Sequence, residues 1–270
     1  MYEDKKELGP LIPEIIALLG GILCVIIIAL PLNTLLGSIF GIAPLIAPFV
    51  EEPCKVIGIL YLALYYPSSL TNKKKGATLG VLAGIGFAFV ENIVYLFQAP
   101  DAVLLRSVFP VLMHVCASAT AGMGLVFLAH KDFDRSSLNL NIIVNNLKTK
   151  NLLTFVAIAM AFHFFYNFLS LIWILFIVGL VVVCYVFYKL YYYLPDDLSS
   201  MDDIGPVYLL KSALQSKDQK SIDHIISDVV GSKENASSNN GNNKNMFCGN
   251  CGLRIEDPSK FCPKCGSILK

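Results

Sequence analysis

Glutamates, a lysine and two histidines stand inside stretches otherwise apolar enough to cross a bilayer: Glu51, Glu52 and Lys55, then Glu91 with Asn92, then His114, then His163 with Asn167. A charged side chain at the centre of a bilayer costs about 2.5–3.5 kcal/mol on insertion scales. Such groups persist where they face a bundle interior, pair with one another or line a polar cavity. Carboxylates and imidazoles are also the usual movers of protons in catalysis. Their recurrence in separate spans therefore points to one converging site and to acid–base chemistry inside the membrane.

The spacing says more. Glu51 and Glu52 are adjacent, so on a helix they point about 100° apart and cannot both face one target. Lys55 is four residues after one and three after the other, within reach of either. One carboxylate can thus be held by Lys55 while its neighbour acts as a base. Phe87, Glu91 and Tyr95 share one helix face, as do His114 with Ser118 and His163 with Asn167. Taken singly, each has an ordinary reading: His114 as a buried, satisfied histidine, Asn167 as a hydrogen bond between helices, Glu91 as a structural partner. Taken together, in neighbouring spans, they favour a shared site. The chain has no HExxH, the spacing that sets two histidines on one zinc. The paired glutamates with their lysine favour a metal-free base over a catalytic metal.

The elements that would position these groups are helices. The chain is 55% hydrophobic and 15% charged with a mean hydropathy of +0.63, which excludes an ordinary soluble domain of about 25% charged residues. Six segments are long enough to span, at about 11–31, 36–66, 76–97, 103–129, 152–170 and 172–194. The second carries Pro44, Pro48 and Pro53 and is expected to begin bent or re-entrant. Gly76, Gly80 and Gly84 form a stripe of small residues that lets a neighbouring helix approach. Lys5, Lys6, Lys73–Lys75, Lys131, Arg135, Lys148 and Lys150 fall in alternate connections. The positive-inside rule then places both termini in the cytoplasm of a multi-pass cell-membrane protein.

The expected organisation is a membrane catalytic domain over 1–194, a short polar helical segment over 195–230, a flexible linker over 231–245 and a small cytoplasmic domain over 246–270. In the last, Cys248, Cys251, Cys262 and Cys265 form two CxxC pairs, the pattern of a zinc ribbon. Four thiolates suit a closed, structural zinc, and a unit this small needs the metal to fold. Its few basic residues give no strong nucleic-acid signal, and a cytoplasmic protein is the expected partner. Cys24, Cys54, Cys116 and Cys184 lie singly in apolar segments and read as small hydrophobes.

Four motifs in order carry a resemblance: Glu51-Glu-Pro-Cys-Lys55 as EExxK, Phe87-Ala-Phe-Val-Glu91 as FxxxE, then His114, then His163-Phe-Phe-Tyr-Asn167 as HxxxN. Over roughly 35–170 the chain resembles the PrsW family of intramembrane proteases, relatives of the CAAX prenyl proteases. The resemblance implies hydrolysis of a peptide bond in or near the span of a single-span membrane protein. It also implies Glu51 or Glu52 as the base, with His114, His163 and Asn167 positioning water and stabilising the oxyanion. The CAAX proteases carry a histidine where this chain has Glu91, so their water-activating histidine does not transfer to that position and His114 becomes the candidate. A transporter using the same ionisable groups is the alternative, weakened by the lack of an evident inverted repeat. A non-catalytic scaffold is the third reading.

Overall fold

The computed structural model describes residues 8–135, 137–172, 175–196, 198, 213–214, 246–247 and 254–255. The chain divides into two units, Met1–Gln219 and Lys220–Lys270. In the first, helices α1 (Ile12–Cys24), α2 (Leu30–Phe40), α3 (Ala43–Lys55), α4 (Ile57–Tyr65) and α5 (Lys73–Gln98) are followed by α6 (Val103–Arg106), α7 (Phe109–His130), α8 (Leu140–Leu147), α9 (Lys150–Ser170) and α10 (Phe176–Tyr193). A π-helical turn, Val25–Ala29, joins α1 to α2. In the second unit, β1 (Met246–Phe247) pairs antiparallel with β2 (Arg254–Ile255), Met246 opposite Ile255.

The first unit is an all-helical membrane protein. Among the described residues five helical stretches are long and apolar enough to cross a bilayer: Ile12–Phe40, Lys73–Gln98, Leu104–His130, Lys150–Ser170 and Phe176–Tyr193. The first runs nine residues beyond its expected end, through the π turn and Pro31. The stretch expected as the second span is instead broken. Gly41, in the left-handed region at φ 69°, ends α2; α3 ends at Lys55, and the chain turns at Val56 into α4. Pro48 and Pro53 lie inside α3, and proline has no N–H to give to the carbonyl four residues earlier. In lipid, such a freed carbonyl must find another donor, and Pro44 O finds one in Asn167 Nδ2 at 2.7 Å.

Helix α7 runs through the middle, buried along most of its length between α5 and α9, with α10 also against it and α1 on the far side of α5. The α5–α7 contact is as close as the small-residue stripe implies. A Cβ at Gly80 would lie 2.2 Å from Ser118 O, and one at Gly84 would lie 2.8 Å from His114 O. This seam sets the depth of His114 against Glu91. Replacing Gly80 by leucine should therefore force backbone apart, at about 1–3 kcal/mol or more. We expect a lowered thermal midpoint in detergent, compared with Thr78→Leu on the exposed face of the same helix. Equal midpoints for the two variants would contradict the seam.

At the end of the bundle that carries the basic residues, polar ties link the helices. Asn72 caps α5 by accepting from Lys75 N at 2.9 Å, and Lys75 pairs with Glu14 of α1. Lys73 donates to Leu194 O, and Lys74 meets Asp196 at 2.6 Å. The Lys74 ammonium holds the Asp196 carboxyl below its ordinary range. The 195–230 and 231–245 segments and the four ribbon cysteines fall almost wholly outside the described residues.

Candidate active site

Six of the residues singled out in the sequence converge. Helix α3 supplies Glu51, Glu52 and Lys55; α5 supplies Glu91; α7 supplies His114; α9 supplies His163. Lys55 is 0% exposed, Glu52 0%, His114 2%, His163 3% and Glu51 4%. The Lys55 ammonium sits at the centre, donating to Glu52 Oε1 and to His114 Nδ1, each at 2.6 Å, 3.5 Å from Glu51 Oε2 and 4.1 Å from the centroid of the Phe87 ring.

These contacts sort the two glutamates. Glu52 Oε1 accepts from Lys55 and from His163 Nδ1 at 2.7 Å. Glu51 Oε2 lies further from the same two groups, 3.5 Å from Lys55 Nζ and 3.7 Å from His163 Nδ1, and Glu51, unlike Glu52, lines a cavity of about 810 Å³ with Glu91, His114, His163, Tyr166 and Asn167. Its Oε1 accepts from Asn33 Nδ2 at 2.8 Å, while its Oε2 is buried with no hydrogen-bond partner among the described residues. The helical offset of adjacent residues thus gives one carboxylate to the protein and one to the cavity.

His114 is enclosed. An ammonium only donates, so Nδ1 accepts from Lys55, and Nε2–H donates to Glu91 Oε2 at 2.9 Å. Arg106 Nη2 holds the other oxygen of Glu91 at 3.1 Å while its guanidinium lies 3.4 Å from the centroid of the Tyr95 ring. Both ring nitrogens of His114 are thus engaged within the protein. The His163 ring stands edge-on to it, centroids 4.9 Å apart at 88°. Asn167 lines the cavity, but one of its amide hydrogens is given to Pro44 O.

Two contributors went unassigned in the sequence reading. Neither Arg106 nor Asn33 stands out in the sequence, and α2 offers Asn33 no polar partner at helical spacing. The cavity is walled by the ends of α5, α7 and α9 opposite the basic connections, including Gln98, Asp101 and Ser170.

The donor set also fits a metal in type. One atom each from Glu51, Glu52, His114 and His163 lie within 4.8 Å of one another, and Oε2 of both glutamates lacks a partner. Nitrogen and carboxylate donors of this kind suit zinc.

A buried constellation of carboxylates and imidazoles beside a cavity in a helical membrane bundle has the acid–base groups that an intramembrane hydrolase needs. The sequence pattern of PrsW family intramembrane metalloproteases matches residues 10–192, and the chain belongs to that family. It is a multi-pass membrane protein and an intramembrane peptidase. A zinc-ribbon domain matches residues 247–269. No match was found among curated proteins or solved structures.

Proposed function

We propose that Glu51 is the general base of peptide-bond hydrolysis in the span, or at the span's edge, of a single-span membrane substrate. One observation carries the assignment: of the two adjacent glutamates, Glu51 lines the cavity, and its Oε2 is ion-paired with Lys55 at 3.5 Å but accepts no hydrogen bond from the described residues. Its Oε2 takes a proton from water as the oxygen attacks the scissile carbonyl, and returns it to the leaving nitrogen. His163 gives its Nδ1–H to Glu52, so it donates to the developing oxyanion as an imidazolium, through Nε2–H, assisted by the second amide hydrogen of Asn167. Glu91 and Lys55 hold His114 in place, so this pair positions the site and does not touch substrate. The chain returns through α3 and α4 to the end where Lys75 meets Glu14, which makes six crossings; with the basic connections in the cytoplasm, both termini lie there and the cavity opens towards the outer side.

The cluster of four donors favours a second reading, a catalytic metal held by Glu51, Glu52, His114 and His163. When bound, a metal would supply a water of lowered pKa and a Lewis acid for the carbonyl. Lys55 weighs against it. The ammonium is fully buried and takes its counter-charge from the same two glutamates, and a metal drawing on them would leave it unpaired.

Metal content separates the readings. The full chain should carry one zinc, held by Cys248, Cys251, Cys262 and Cys265. A full-length variant with all four changed to serine should carry none and still cut a single-span peptide. One metal retained per chain, with cleavage lost on chelation and restored by zinc, would establish the metal reading instead.

A further inference from the structure

We propose that Asn33 belongs to the catalytic machinery, fixing Glu51 with its amide N–H and giving the attacking water its second acceptor. The proposal rests on Glu51 as the base. A carboxylate only accepts, so the amide must turn its NH2 group to Glu51 Oε1, where Nδ2 lies at 2.8 Å. That leaves Asn33 Oδ1 buried, with no hydrogen-bond partner among the described residues, and Glu51 Oε2 likewise accepts no hydrogen bond, with Lys55 Nζ 3.5 Å and His163 Nδ1 3.7 Å away. Both side chains line the cavity. Buried polar atoms without partners are few in folded proteins, and each calls for an explanation. Here two acceptors that lack a hydrogen bond belong to two side chains already bonded to each other.

Water has two O–H donors. One hydrogen given to Glu51 Oε2 and one to Asn33 Oδ1 would satisfy both acceptors and leave a lone pair for the scissile carbonyl carbon. As the C–O bond forms, the first proton passes to Glu51; as the C–N bond breaks, it passes on to the leaving nitrogen. The second hydrogen stays on the oxygen throughout, held by Asn33.

The position of Asn33 on the chain supports this. Helix α2 buries no residue, so packing does not explain a half-buried amide there. Its neighbours Thr34 and Ser38 bond to the backbone of their own helix, at Leu30 O and Leu35 O. Asn33 instead reaches across to α3.

The test is a double-mutant cycle in the full chain, using a single-span membrane peptide that the unaltered protein cuts. Asn33→Leu keeps the size and removes both functions. It should lower kcat about tenfold to thousandfold, the range for a lost polar contact made in the transition state, with KM changed by less than about threefold. In a Glu51→Gln background the same substitution should cost almost nothing further, because base and water-holder act as a unit. Ser38→Ala, on the same helix, should leave turnover unchanged. Should Asn33→Leu fail to fold, Asn33→Ala is read in the same way. An unchanged kcat, a loss confined to KM, or a loss that multiplies with that of Glu51→Gln would each reduce Asn33 to a helix tie and overturn the proposal. The two readings fail separately: a Glu51→Gln protein that cuts at full rate sinks the base, whereas an inactive Glu51→Gln beside a fully active Asn33→Leu sinks this inference alone.

Discussion

Glu51→Gln should lower turnover about 10²- to 10⁴-fold, the usual scale for losing a general base, with folding intact. Glutamine keeps the shape and can still accept from Asn33, so the change is confined to the oxygen that takes the proton. The loss should fall on kcat, with substrate affinity preserved, because the missing interaction is with water in the transition state. Glu52→Gln should behave differently. That carboxylate is the counter-ion of Lys55 and the anchor of His163, so its loss should reduce stability and activity together. Single-turnover cleavage and thermal midpoints on both variants provide the comparison. A Glu51→Gln protein cleaving at the unaltered rate would remove the centre of the mechanism; if Glu52→Gln alone were inactive yet fully stable, the two roles would have to be exchanged.

The second large effect concerns Lys55. Breaking a buried ion pair by removing one partner costs about 3–5 kcal/mol, because the remaining charge is stranded. Lys55→Met should therefore destabilise the bundle by about that amount, leaving Glu52 facing Glu51 without a cation and His114 Nδ1 without its donor. The double variant Lys55→Met with Glu52→Gln should recover part of the loss, since it leaves no excess charge behind. Unfolding in denaturing detergent measures both. If the single variant were as stable as the unaltered chain, the cation would not be holding the cluster together. No recovery in the double variant would show that Lys55 acts through packing on Phe87 and not through charge.

Much of this site is legible in the sequence. Glu51, Glu52, Lys55, Glu91, His114 and His163 stand out because each is expensive in its apolar surroundings, and that expense forces them together. Which glutamate faces the cavity was not legible: helical geometry gives the angle between neighbours and not the direction of either. His114 looked available for chemistry because its second bond is made to Lys55, 59 residues away. Asn33 and Arg106 escaped for a similar reason, since their partners are Glu51 and Glu91, 18 and 15 residues distant. The break between α3 and α4 was half visible. Three prolines announced a distortion, but the turn at Val56 depends on what receives the chain beyond Lys55.

The bond from Asn167 to Pro44 O links two positions that look unrelated on paper. Pro48 withholds the N–H that would ordinarily reach that carbonyl, and a side chain from a helix more than a hundred residues later supplies the donor instead. The two are in effect a single inherited character. A descendant that regained an N–H at position 48 would no longer need a donor at 167, and one that lost the donor first would carry an unpaired carbonyl in the membrane. Along the history of such chains the proline and the asparagine should be kept, or given up, as a pair.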